Sequence, residues 1–212
     1  MWAVRIIFAP HPASLDEMSH RIGLFGGTFD PPHIGHTLCA SLACDELGLE
    51  SVQMMVAGDP WQKSAATQVT AASVRLAMTT AACRGSRRLI PSDAELHRSG
   101  PSYTIDTVDE LKRSGVESIT LILGADAAAG LDSWNRAREL AEMVELAVMR
   151  RPGVQQVDLG SWWSSRVIEI PQIELSSTMI RRRVEAGQSV EFLVAPEVES
   201  MIHHLGLYRG SR

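Results

Sequence analysis

Residues 21–36 read Arg-Ile-Gly-Leu-Phe-Gly-Gly-Thr-Phe-Asp-Pro-Pro-His-Ile-Gly-His. Arg21–Phe25 is a short apolar run closed by a glycine pair, the pattern of a buried strand entering a sharp turn. From Ile34 onward, Ile34, Leu38 and Leu42 recur every four residues with Cys39, Ala43 and Leu47 beside them. This predicts an amphipathic helix stopped near Gly48. Gly26 and Gly27 carry no Cβ, so the amides of the turn, through Thr28 and Phe29, can approach an anion closely. The helix start that follows presents unpaired N–H groups and the positive end of a dipole. His33 and His36, three apart, project from one face of its first turn.

The same alternation continues outward. Ser51–Val56 reads as a second strand, followed by a Gly58-Asp59-Pro60 loop that carries Trp61 and Lys63. A helical stretch covers 71–82, and a brief strand at Arg88–Ile90 is bounded by Pro91. Thr104–Arg113 is a helix with Ile105, Val108 and Leu111 on one face. Glu117–Leu123 is a buried strand leaving through Gly124-Ala125-Asp126 into another helical stretch. Leu146–Met149 and Val167–Ile170 are further strands, Val154–Ser165 is an unpatterned surface excursion, and helices at Ser177–Ala186 and Pro196–Leu205 close the chain. Near-continuous apolar strands alternating with helices predict an α/β, doubly wound, mostly parallel sheet with helices on both faces. In such folds the ligand sits beyond the carboxyl ends of the strands.

The chain has 212 residues, 20 basic against 25 acidic side chains, and 45% hydrophobic residues. That apolar fraction excludes a disordered chain. The net charge of −5 argues against a general nucleic-acid binder but not against a small phosphorylated ligand. No stretch is long and apolar enough to predict a membrane span. Cys39, Cys44 and Cys83 lack disulfide or zinc spacing and read as small hydrophobes in a reducing cytoplasm. Residues 1–20 read as a dispensable appendage, with Met18 an alternative start, ahead of one domain at 21–209.

A second anion site is predicted where Ser176, Ser177 and Thr178 open a late helix. Hydroxyls, free amides and the Arg181 guanidinium, four residues after Ser177, fall on one end of it. Ile180 and Val184 can face the core. Each feature has a plainer reading: an ordinary turn, a helix cap, or a solvated arginine run. His33 and His36 could also bind a metal with Asp30 or Asp45, although zinc helices favour a different spacing. Neither a P-loop nor a Gly-x-Gly-x-x-Gly fingerprint is present. Taken together, the two anchors point to the phosphates of a nucleotide.

The stretch Gly26–His36 resembles the GxFDPxHxGH signature of the HxGH nucleotidyltransferase superfamily, and Leu175–Arg181 resembles its ISSTxIR element. Three further segments are similar to those of bacterial nicotinate-nucleotide adenylyltransferases: Ser102-Tyr103-Thr104-Ile105-Asp106-Thr107, Leu123-Gly124-Ala125-Asp126 with Leu131 and Trp134, and the C-terminal Phe192–Tyr208. The resemblance implies a Rossmann-like sheet and transfer of the adenylyl group of ATP to nicotinate mononucleotide, releasing pyrophosphate, with Mg²⁺ arriving with ATP. It implies that His33, His36 and Arg181 stabilise the triphosphate. Gly26, Gly27, Thr28, Phe29, Lys63, Asp126, Ser177 and Thr178 would bind ATP, with Asp126 on ribose hydroxyls. Tyr103, Thr104 and Trp134 would hold the pyridine nucleotide. Rivals are a sister enzyme acting on nicotinamide mononucleotide or phosphopantetheine, and a non-catalytic nucleotide sensor. Homo-oligomer formation is left open.

Overall fold

The computed structural model describes residues 21–58, 69–98, 100, 102–150 and 159–210. The expected appendage at 1–20, Trp61 and Lys63 lie outside the described residues, as do residues 154–158 of the expected excursion. In chain order the elements are β1 (Arg21–Gly27), α1 (Ile34–Glu46), β2 (Ser51–Val56), α2 (Ala72–Ala82) and β3 (Leu89–Ser92). Then follow α3 (Thr104–Arg113), β4 (Ser118–Gly124), α4 (Ala125–Ala128), α5 (Ala137–Met143), β5 (Glu145–Arg150), β6 (Ser165–Glu169), α6 (Ser177–Glu185) and α7 (Pro196–His204). The six strands form one sheet in the order β3-β2-β1-β4-β5-β6, every pair parallel. This is the expected doubly wound α/β architecture.

Two local expectations shift. The glycine pair was expected to leave the strand; it instead ends it, with Gly26 opposite Met55 and Gly27 opposite Val56. Glycine keeps both backbone bonding groups, and β2 runs far enough to pair with them. Pro91, expected to bound β3, lies inside it opposite Met54. β3 is an edge strand, where a missing N–H breaks no second ladder.

Each face of the sheet carries its own core. On one face Phe25, Val52, Met54 and Ile122 pack with Ala40, Ala43 and Cys44 of α1 and with Leu47 just beyond it. On the other, Ile22, Leu24, Leu121 and Leu123 pack with Ile105 and Val108 of α3 and Leu140 of α5. A third cluster joins α2, α6 and α7 through Met78, Ile180, Val198 and Ile202. The apolar spacing of α1 suggests Ile34, Leu38 and Leu42 as its inner face. The structure turns the small residues Ala40, Ala43 and Cys44 inward and leaves Ile34 and Leu38 exposed. Small side chains let the helix lie close on the sheet.

The strand order places the reversal between β1 and β4. Chain connections run one way from β1 and the other way from β4, so a crevice opens at their carboxyl ends. The β1–α1 loop and the Gly124–Asp126 segment both meet there.

Candidate functional site

A cleft of about 740 Å³ lies at this reversal. Gly26, Gly27, Thr28, Phe29, His33 and His36 line it from the first loop, Asp126 from the end of β4, and Ser177, Thr178 and Arg181 from α6. Two segments some 140 residues apart along the sequence therefore share one wall. They are tied by direct bonds. Arg181 Nη1 donates to the Asp30 carbonyl at 2.7 Å, and Ser177 Oγ donates to the Pro31 carbonyl at 2.8 Å. Arg181 Nη2 also donates to Thr178 Oγ1 at 3.3 Å.

The α6 cap is Ser176, whose Oγ accepts from the Met179 N–H at 3.1 Å. Ser177 and Thr178 occupy the first turn, where backbone N–H groups have no intrahelical acceptor. With its hydroxyl proton held by Pro31, Ser177 offers the cleft its amide. The N-termini of α1 and α6 thus face one space, an arrangement that favours a polyanion.

The two imidazoles are stacked, with ring centroids 3.7 Å apart and planes at 23°. His36 Nδ1 accepts from the His33 backbone N–H at 3.1 Å. In the neutral ring its proton is therefore on Nε2. Phe29 stands edge-on to His36, with centroids 5.0 Å apart and planes at 88°, and edge-on to Phe25. Phe29 is itself buried and has a φ of 49°, a region few non-glycine residues enter. Its ring lies so close to Gly27 that a Cβ there would sit 2.7 Å away. A Cβ on Gly35 would approach His33 Nδ1 to 3.0 Å. The glycine within His-x-Gly-His thus makes room for the ring before it, and His36 stacked against that ring limits where it can move.

His33 is buried, and its Nδ1 has no hydrogen-bond partner among the described residues. Burial pushes its imidazole from 6.5 down to about 4. In the free protein His33 therefore stays neutral at pH 7 and can contribute only a neutral hydrogen bond. Its depressed titration makes a stability prediction. As pH falls through about 6.5 the unfolded chain takes up this proton first, so the folded state loses stability until about pH 4, where the loss levels off. Above 6.5 nothing is lost. Between pH 7 and 4 the protein should lose on the order of 3 kcal/mol more than His33→Asn, measured by chemical unfolding. Equal losses in both proteins would contradict this assignment.

Residues that sequence reasoning missed hold the loop from behind. The Asp30 carboxylate is buried and accepts from the Tyr208 hydroxyl at 2.6 Å and the Thr70 N–H at 3.2 Å. Burial, then the Asp30 hydrogen bond, raises the Tyr208 phenol well above its usual range. Arg75 of α2 is buried and donates to the Thr28 carbonyl at 2.8 Å. Its one sequence signal is that it is the sole charged side chain in Ala72–Ala82.

Tyr103, Thr104 and Trp134 do not line the cleft. Tyr103 precedes α3, Thr104 begins it, and Trp134 ends a short 3₁₀ turn at Leu131–Ser133. Tyr103 and Trp134 are half-buried against the core on the face opposite α1. Lys63 lies outside the described residues. Among the described residues no three His, Cys, Asp or Glu side chains are grouped to hold a metal ion, so His33 and His36 gain no third ligand from Asp30 or Asp45. Asp45 is instead paired with Arg88 at the surface. Cys39, Cys44 and Cys83 form no disulfide. No described helix is long and apolar enough to cross a membrane.

The cytidylyltransferase-like family model matches residues 24–183. A probable nicotinate-nucleotide adenylyltransferase of Exiguobacterium sibiricum is 38% identical over 189 residues, covering 89% of this chain and 98% of the relative. One from Thermus thermophilus is 40% identical over 192 residues, covering 89% of this chain and 100% of the relative. The fold is similar to that of the solved Plasmodium falciparum nicotinic acid mononucleotide adenylyltransferase complexed with NaAD, with a TM-score of 0.72 and 17% identity over 89% of this chain and 97% of that one.

Proposed function

The chain belongs to the cytidylyltransferase-like family and, within it, to the nicotinate-nucleotide adenylyltransferases; from this premise we propose that it transfers the adenylyl group of ATP to nicotinate mononucleotide, giving nicotinic acid adenine dinucleotide and pyrophosphate for NAD biosynthesis. The observation that carries the reading is the junction of the His33–His36 loop with the Arg181 helix around one cleft.

A 5′-phosphate oxygen of the mononucleotide attacks the α-phosphorus of ATP in line. A new P–O bond forms, the bond to the bridging α–β oxygen breaks, and its electron pair leaves with pyrophosphate. The attacking oxygen is already ionised at pH 7, so no general base is required. The barrier is the approach of one anion to another, and catalysis is positioning plus stabilisation of charge. His36 Nε2 and neutral His33 donate to phosphate oxygens. Arg181 and the first-turn amides of α6 hold the β- and γ-phosphates, and the Gly26–Phe29 turn closes the other side. The resemblance of its segment to the family's assigns Lys63 a contact with bound phosphate.

Two carboxylates line the cleft, and Asp30 is already engaged by Tyr208 and Thr70. Asp126 is exposed and accepts from ribose hydroxyls. This donor set fits a Mg²⁺ that would arrive with the triphosphate, and among the described cleft residues Asp126 is the carboxylate that would be open to it. When bound, the cation neutralises phosphate charge. Trp134 stacks on the pyridine ring while Tyr103 and Thr104 receive its carboxylate. Three cysteines that form no disulfide suit a reducing compartment, and the cytoplasm is the place we assign.

The test is pyrophosphate release from ATP with nicotinate mononucleotide and nicotinamide mononucleotide in parallel. Release should be faster with the acid. Release with neither, or with phosphopantetheine instead, would overturn the proposal.

A further inference from the structure

We propose that Arg75, which does not itself line the cleft, is a positioning residue that aims the phosphate-binding amide of Phe29. The inference rests on reading the cleft as the ATP triphosphate site. Arg75 is 1% exposed. A guanidinium so deeply buried is costly unless its donors are used, and here Nε, Nη1 and Nη2 all are. Nε donates to the Thr70 carbonyl at 2.8 Å, Nη1 to the Thr28 carbonyl at 2.8 Å, and Nη2 to the Gly58 carbonyl at 3.2 Å. One planar fork therefore joins the loop after β1, the loop after β2 and the lead into α2.

The Thr28 bond decides the geometry of the cradle. In a trans peptide the C=O and the next N–H point in opposite directions. Thr28 and Phe29 line the cleft and Arg75 lies behind them. Drawing the Thr28 carbonyl back onto Arg75 turns the Phe29 N–H forward, toward the phosphates. The left-handed backbone at Phe29 needs such holding, because that conformation persists only where its surroundings impose it. The hold is braced from a second side: Thr70, whose carbonyl Arg75 binds, gives its N–H to Asp30, two residues beyond Thr28. Lysine cannot replace the fork, since an ammonium is a point donor and cannot span three fixed carbonyls in one plane.

The experiment compares Arg75→Lys and Arg75→Met with Val198→Ala. Val198 lies in the cluster of α2, α6 and α7, away from both loops. The readouts are melting temperature, kcat, KM for each substrate, and calorimetric binding of inorganic tripolyphosphate. Arg75→Lys should lower kcat about 10- to 100-fold, as misplacement of a reacting group does. It should weaken tripolyphosphate about tenfold and leave KM for the mononucleotide within about twofold. Val198→Ala should lower the melting temperature while kcat and tripolyphosphate binding stay at wild-type values. Wild-type tripolyphosphate binding in Arg75→Lys would overturn the proposal. So would failure of both Arg75 variants to fold, which would assign Arg75 to folding instead. The binding ratio reads Arg75 whether or not the wild type makes dinucleotide, whereas turnover reads the proposed reaction.

Discussion

Replacing His36 by alanine is expected to lower kcat by ~10²–10³ while leaving the fold intact, the scale of losing one preorganised donor to developing charge. The ring is fixed on three sides. Its Nδ1 takes the His33 N–H, its face stacks on His33, and Phe29 meets it edge-on. Nε2 is therefore aimed before substrate arrives, and no reorganisation is needed during reaction. The loss should fall mainly on kcat, because negative charge on the leaving pyrophosphate grows toward the transition state. His36→Gln, which can return an N–H near the same place, should recover part of the rate. Near-wild-type turnover in His36→Ala would remove the imidazole from the mechanism.

The second large effect is expected at Arg181. Its guanidinium both faces the cleft and holds the Asp30 carbonyl. Arg181→Met keeps the length of the side chain and removes charge and donors together. Turnover per KM for ATP should fall by roughly 10², with KM for the mononucleotide little changed. Arg181→Lys restores charge without the fork and should recover only part. The comparison separates charge from geometry: full recovery with lysine would mean that charge alone matters and that the bond to Asp30 is incidental.

The sequence made the local parts of this site legible. Strand, glycine pair and helix start lie within 16 consecutive residues, and the cap, hydroxyls and arginine of α6 within six. Periodicity and capping act over that range, so their expectations survive with shifts of one or two residues at element ends. The bonds that join the anchors are of another kind. Tyr208 reaches Asp30 across 178 positions and Arg75 reaches Thr28 across 47. No pattern in a single chain encodes such pairs, although the lone charge of α2 hints at a buried partner. The inner face of α1 was misread for a physical reason. Its large apolar residues mark the strongest period, but close approach to the sheet selects Ala40, Ala43 and Cys44. Tyr103 and Trp134 fall on the opposite core and do not line the cleft.

The most direct measurement is a crystal structure with a non-hydrolysable ATP analogue. The account predicts one triphosphate spanning both anchors, with its oxygens within hydrogen-bond distance of His36 Nε2 and the Phe29 amide on one side. On the other side they should meet Arg181 and the Ser177 and Thr178 amides. A triphosphate that touched only one of these two walls, or that lay outside the cleft, would contradict it.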